Sequence, residues 1–147
     1  MEVERYLVKA EQFLAGAQLA VDHGQYNNAA NRAYYAAFQA AIAVLAAAGV
    51  TPPTPRYWGH DFVLREYCRR AVPHGAAFLP GSASALKALQ DERLKADYET
   101  ELLGRVSGER ALTLAGQFLA AVRERLSEED AWQSGAPRST VRQPSPP

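Results

Sequence analysis

Apolar residues at the start of the chain recur at steps of three and four. Val3, Tyr6, Leu7, Ala10, Phe13, Leu14, Ala17 and Val21 share one face of a helix predicted over 2–23. Gly24 stands where a helix-ending glycine is preferred, and Asn27 or Asn28 is placed to cap the next helix. That helix, about 28–48, carries two stripes. Ala30, Ala33, Tyr34, Ala37, Ala41, Val44 and Ala48 form one, and Tyr35, Phe38, Ile42 and Leu45 the other. A helix apolar on nearly every side is buried among neighbours. Gly49 and the run Thr51-Pro52-Pro53-Thr54-Pro55 forbid its continuation.

A shorter helix is predicted over 61–71, with Phe62, Val63, Tyr67 and Cys68 inward, followed by a loop marked by Pro73, Gly75, Pro80 and Gly81. Ser82 or Ser84 is placed to cap a fourth helix that runs to about Thr100 on Leu86, Leu89 and Ala96. Gly104 and Gly108 bracket a turn, and Ser107 caps a last helix running to about Leu126 on Ala111, Leu114, Phe118 and Val122. No long segment alternates with period two, and no internal repeat is present. The fold class is therefore all-α: an antiparallel bundle of four long helices plus a short one, spanning 1–126. From Ser127 the composition turns to Ser, Gly, Gln, Arg and Pro, so 127–147 reads as a disordered tail.

Composition narrows the function classes. The 147 residues suit one domain, and 48% hydrophobic with 22% charged residues is globular. A single cysteine excludes a disulfide framework and a multi-cysteine zinc site. Sixteen basic and sixteen acidic side chains cancel, which removes the global footprint of a nucleic-acid coat protein but not a local patch. Ala33 to Val50, interrupted by Gln39, touches the length of a membrane span. Its alanines and tyrosines fit a buried bundle helix better. The opening Met-Glu-Val-Glu-Arg lacks the basic region of a secretory signal, so the expected compartment is the cytoplasm, with no membrane partner. Phosphate-loop, dinucleotide-binding, zinc-protease and nucleophile-elbow motifs are missing, and no cofactor or metal is called for.

Three polar placements run against the apolar pattern. Asn31 and Arg32 open the most buried helix, where an arginine either reaches solvent, pairs with a carboxylate or lines a polar cleft. Arg93 and Asp97 are four apart and can pair on one helix face, as ordinary solvated helix pairs do. Tyr98 lies roughly 140° round the helix from Arg93, so both border one groove only if a second helix or subunit closes it. His60, in Tyr57-Trp58-Gly59-His60, is a cap or surface residue on one reading and a functional imidazole on another. Between His23 and Gln90, six Lys or Arg residues face two acidic ones, and Arg65, Arg69 and Arg70 cluster on one helix. Such a cluster either steers a phosphate backbone or is a solvated helix face. Cys68 reads as a spacer thiol rather than a reactive one.

Several segments taken together carry a resemblance. Lys9-Ala10-Glu11, Gly24-Gln25-Tyr26, the run Ala30-Asn31-Arg32-Ala33-Tyr34-Tyr35-Ala36-Ala37-Phe38, Gly59-His60 with Phe62, and Arg93-Leu94-Lys95-Ala96-Asp97-Tyr98 are similar to the HEPN superfamily. The branch resembled is that of short stand-alone bacterial and archaeal members, over about Val3 to Leu126. The resemblance implies a dimeric helical bundle that works on RNA or a nucleotide. Many members are metal-independent endoribonucleases, and others are toxins paired with a small nucleotidyltransferase. In the nuclease members an arginine is followed four to six residues later by a histidine, and two copies of the motif meet at the dimer interface. Arg93 matches that arginine, but Tyr98 stands at the histidine position. Tyrosine, with a reference pKa near ~10, is a poor general base at neutral pH.

Three readings follow. In the first, a homodimer holds RNA or a nucleotide in a cleft lined by Asn31, Arg32, Tyr35, Arg93, Asp97 and Tyr98, with Arg65 and Arg69 as auxiliary cations and a nucleotidyltransferase as partner. In the second, the chain is a metal-independent endoribonuclease, as in toxin–antitoxin pairs, with Arg93 on the phosphate, Tyr98 or His60 transferring the proton and Asp97 assisting. In the third it is a helical dimerisation module whose polar residues are structural.

Overall fold

The computed structural model describes residues 2–71 and 81–133. Five helices follow one another: α1 (Glu2–Asp22), α2 (Tyr26–Ala47), α3 (His60–Ala71), α4 (Ser82–Tyr98) and α5 (Arg105–Gln133). Among the described residues there is no strand, only an isolated bridge between Thr54 and Tyr57. The architecture is the expected all-α bundle of four long helices and a short one.

α2 is the hub, in contact with α1, α3, α4 and α5. The sequence explains why. Ala29, Ala30, Ala33, Ala36, Ala37, Ala40, Ala41 and Ala43 are all wholly buried, so helices approach α2 closely from several sides. Larger side chains fill the remaining space. Leu45 of α2, Val63 and Tyr67 of α3, Leu86 and Leu89 of α4 and Val122 of α5 are wholly buried. Each fully buried leucine or valine contributes roughly 1.5–3 kcal/mol relative to exposure. Among the described residues no helix is long and apolar enough to cross a membrane.

Helix ends depart from expectation in instructive ways. Gly24 and Gly49 do follow α1 and α2 with positive φ, as helix-terminating glycines should. At the start of α2, however, Gln25 is the cap residue and makes no side-chain capping bond. Asn27 lies inside the helix and is used elsewhere: its Nδ2 donates to Ala96 O (3.1 Å) and its Oδ1 accepts from Leu103 N (2.8 Å). It thereby ties α2 to the end of α4 and to the α4–α5 connection. Ser82 is likewise helical rather than a cap, its hydroxyl accepting from the Tyr67 hydroxyl at 2.8 Å.

Gly104 precedes α5, but Gly108 lies within it, and Ser107 is helical too. Gly108 marks a close approach instead of a turn. A Cβ there would stand 2.9 Å from Cδ1 of Tyr26, so only glycine lets that ring seat against α5. α5 also continues past Leu126 to Gln133. The loop residues Pro73, Gly75 and Pro80, and the tail from 134 on, lie outside the described residues.

Candidate functional site

The packing of α4 on α2 brings together residues about 66 positions apart. α4 presents Gln90, Arg93 and Asp97, at steps of three and four, to one face of α2 that carries Asn31, Tyr34 and Tyr35. Arg93 is the centre. It is only 8% exposed, and its guanidinium carbon sits 5.1 Å from the ring centroid of Tyr34 and 5.9 Å from that of Tyr35. Both distances lie within cation–π reach. Nη1 donates to Asp97 Oδ2 at 3.1 Å and Nε donates to Gln90 Oε1 at 3.2 Å. Asn31 Nδ2 donates to both oxygens of Asp97, at 3.1 and 3.3 Å.

Asp97 runs against helix electrostatics. It occupies the last turn of α4, at the negative end of the helix dipole, where a carboxylate is unfavourable. Its compensation is one local partner, the Arg93 cation a turn earlier, and one tertiary partner, the Asn31 amide. Among the described residues, Nη2 of Arg93 makes no hydrogen bond, so one edge of the guanidinium has no protein acceptor there.

His60, the first residue of α3, adjoins this cluster through its aromatic rings. Its imidazole stacks on Phe38 with centroids 4.6 Å apart and planes 28° apart, and Nδ1 lies 2.8 Å from the Tyr34 hydroxyl. Burial, reinforced by the Arg93 charge, holds the imidazole below its ordinary pKa, with Asp61 pulling the other way. Burial also raises the Tyr34 phenol well above its usual range, against a smaller opposing effect of Arg93. The phenol therefore keeps its proton. Tyr34 is wholly buried, and its hydroxyl shares a hydrogen bond with Nδ1 of His60 whose direction follows the imidazole tautomer.

The remaining sequence candidates fall elsewhere. Tyr98 is 76% exposed. Arg32 donates from Nε to Asn28 Oδ1 at 3.3 Å, and its stem lies along Gly16 of α1, away from Arg93. Arg69 is paired with Glu66 at 2.8 Å, and Arg70 lies 3.7 Å from the same carboxylate, so the basic cluster on α3 is partly neutralised. Arg69, Arg70 and Arg65 together hold the Glu66 carboxyl below the usual range, the Arg69 hydrogen bond most of all. Arg65 is exposed, its guanidinium 5.9 Å from the Phe62 ring.

Tyr34 and Gln90 are site residues that the sequence reading passes over. Tyr34 belongs to an apolar stripe and is indeed core, yet its ring face carries Arg93 and its hydroxyl carries His60. A signal was available: Asn27, Asn31 and Tyr34 recur at helical spacing through an alanine-rich helix. Among the described residues no three His, Cys, Asp or Glu side chains gather to hold a metal ion.

Comparison with curated proteins finds no match to this chain. The HEPN domain family matches over residues 3–125, a span that runs from α1 into α5 and takes in the whole Arg93 cluster and His60. The chain belongs to the HEPN family.

Proposed function

We propose that the chain binds RNA or a nucleotide at the crevice where Arg93, Asp97 and Asn31 meet Tyr35. The observation that carries this reading is the presentation of Arg93. Two phenol rings, Asp97 and Gln90 fix its orientation while one guanidinium edge stays unengaged. A phosphate oxygen is the natural acceptor for such an edge, and a pre-oriented guanidinium loses little entropy on binding it. The partly exposed ring of Tyr35 offers a stacking face for a base beside it.

A homodimer completes this reading. Tyr98, Leu102 and Val106, respectively 76%, 84% and 69% exposed, lie on the last turn of α4, the connection after it and the first turn of α5, with half-exposed Leu94 nearby. An apolar strip beside Asp97 is suited to a second copy, and a two-fold contact would set two Arg93 crevices side by side. A small nucleotidyltransferase as further partner follows from the family resemblance alone.

The endoribonuclease reading is the second one, favoured by the arrival of His60 at the same aromatic cluster. Tyr34 holds Nδ1 of His60 at 2.8 Å, and Tyr98, at the position where nuclease members carry their histidine, is 76% exposed, which weighs against a poised proton-transfer pair. Binding therefore stands first. The test uses purified protein with a fluorescent single-stranded RNA in the presence of chelator, followed by anisotropy and by gel. Arg93→Ala should weaken binding at least tenfold while the circular dichroism spectrum is kept. Unchanged binding would refute the crevice. Chelator-resistant cleavage lost in both Arg93→Ala and His60→Ala would replace binding with catalysis. Mass measurement in solution, with Leu102→Glu expected to shift a dimer to monomer, tests the two-fold contact.

A further inference from the structure

One aromatic ring of α2 carries two groups that can be cations. The guanidinium carbon of Arg93 lies 5.1 Å from the Tyr34 centroid, and the His60 imidazole stacks on the same ring at 5.5 Å with planes 29° apart. Tyr35 repeats the arrangement, 5.9 Å from Arg93 and 5.7 Å from His60. Arg93 and His60 are therefore no further apart than two ring contacts laid end to end, close to the ~8–10 Å over which salt screens charge. The Tyr34 ring they share is wholly buried, so water weakens their interaction little.

The surroundings of His60 admit its charged form. A protonated imidazole donates from both nitrogens, and the Tyr34 oxygen, 2.8 Å from Nδ1, can accept from it. Phe38, stacked at 4.6 Å, offers a π-face to the cation. Burial and then Arg93 oppose the charge, and Asp61, next along α3, favours it. The cleft that His60 also lines presents Lys9 and Glu2 of α1, Arg56 of the segment before α3, and the phenols of Tyr6 and Tyr57. Of these charges only Arg93 borders the crevice, so it is the one that a ligand there would offset.

We propose that binding of a nucleic-acid phosphate at the Arg93 crevice draws a proton onto His60, so that the crevice holds its ligand more tightly in mild acid. The inference rests on the reading of that crevice as a phosphate site and adds its regulation. The physical cause is charge cancellation. A phosphodiester on the unengaged Arg93 edge offsets the guanidinium, relieves its repulsion toward an imidazolium and adds an attraction of its own. Linkage makes the effect mutual: the factor by which the anion favours protonation of His60 is the factor by which protonation favours the anion. Over such a separation, with an effective dielectric constant near ~20, that factor is about three- to tenfold. His60 acts here through Arg93 and need not touch the ligand. Its imidazole titrates below the ordinary ~6.5, so it is neutral at about pH 7.5, and affinity rises as pH falls through its midpoint.

Two titrations of the full chain test this between about pH 5 and 8, the interval in which histidine changes charge. Proton NMR follows the imidazole rings, the His60 signal among the three histidines being the one lost in His60→Asn. Anisotropy follows a fluorescent oligouridine RNA, whose phosphodiesters and bases keep one charge state throughout. Arg93→Met should raise the His60 midpoint, and saturating RNA should raise it in the parent protein. Parent affinity should improve about three- to tenfold from the alkaline to the acid end, and His60→Asn, with its circular dichroism spectrum kept, should lose that dependence. An unmoved midpoint in Arg93→Met would overturn the proposal, since no charge would then be felt through Tyr34. So would a His60→Asn variant with the parent's pH dependence. RNA that needs Arg93 for binding yet leaves the His60 midpoint in place would sink the proposal alone. RNA that binds Arg93→Ala as tightly as the parent would sink the crevice reading and the proposal with it.

Discussion

Removing one member of the Arg93–Asp97 pair should not be equivalent to removing the other. The Arg93 side chain is 10% exposed and that of Asp97 is 27% exposed. In Asp97→Ala the guanidinium keeps Gln90 and its two rings but is left as a buried cation without a counter-ion. Breaking a buried pair in this way costs about 3 kcal/mol at the lower end of the usual range. Against that, deleting a carboxylate from the last turn of α4 relieves an unfavourable dipole interaction of ~0.5 kcal/mol. The expected net loss is about 2.5 kcal/mol. In Arg93→Met the volume is largely kept and the more accessible Asp97 retains Asn31 and water. The loss there is confined to the cation–π and hydrogen-bond contributions less the desolvation of the cation, or ~1 kcal/mol. Urea denaturation followed by circular dichroism measures both, and the double variant should recover part of the Asp97→Ala loss. If Arg93→Met cost as much as Asp97→Ala, or the double variant were additive, the asymmetry of burial would not be what governs this pair.

Three further outcomes are expected. Because the folded His60 imidazole titrates below its ordinary value, the unfolded chain binds more protons beneath about pH 6.5; His60 thus contributes fully above that pH and progressively less as pH falls toward its folded pKa. Melting temperature should fall with pH across that window, and a His60→Asn variant that kept the same slope would remove His60 as its source. Gly108→Ala forces a methyl to 2.9 Å from the Tyr26 ring and should cost ~1–2 kcal/mol by chemical denaturation despite better helix propensity, with Tyr26→Ala in the same chain restoring tolerance; a stabilised Gly108→Ala would show that the ring is not held there. Asn27→Leu deletes both bonds that join α2 to the α4–α5 connection and should cost ~2 kcal/mol, with faster amide exchange at Leu103; unchanged exchange would contradict the tie.

The sequence by itself determined the helices and the hub. A stripe at steps of three and four, and alanines on every side of α2, state which surfaces must be covered, because burial of those surfaces is the dominant favourable contribution. It also determined the pairing of Arg93 with Asp97, since four residues along one helix are neighbours in any fold. Arg32, which the sequence reading grouped with Asn31, lies ~100° round α2 from it and runs along α1, a placement that the packing of α1 decided. What only tertiary structure decided is where polar groups find partners across elements. Asn27 has the residue type of a cap, yet α4 and the residues after it claim both ends of its amide. Gly108 has the residue type of a turn, yet it makes room for Tyr26. His60 meets Tyr34 across 26 residues and Asn31 meets Asp97 across 66, distances over which no local periodicity operates. Side-chain hydrogen bonds are directional and short, so their partners are settled only when the packed helices fix which atoms come within about 3 Å of each other.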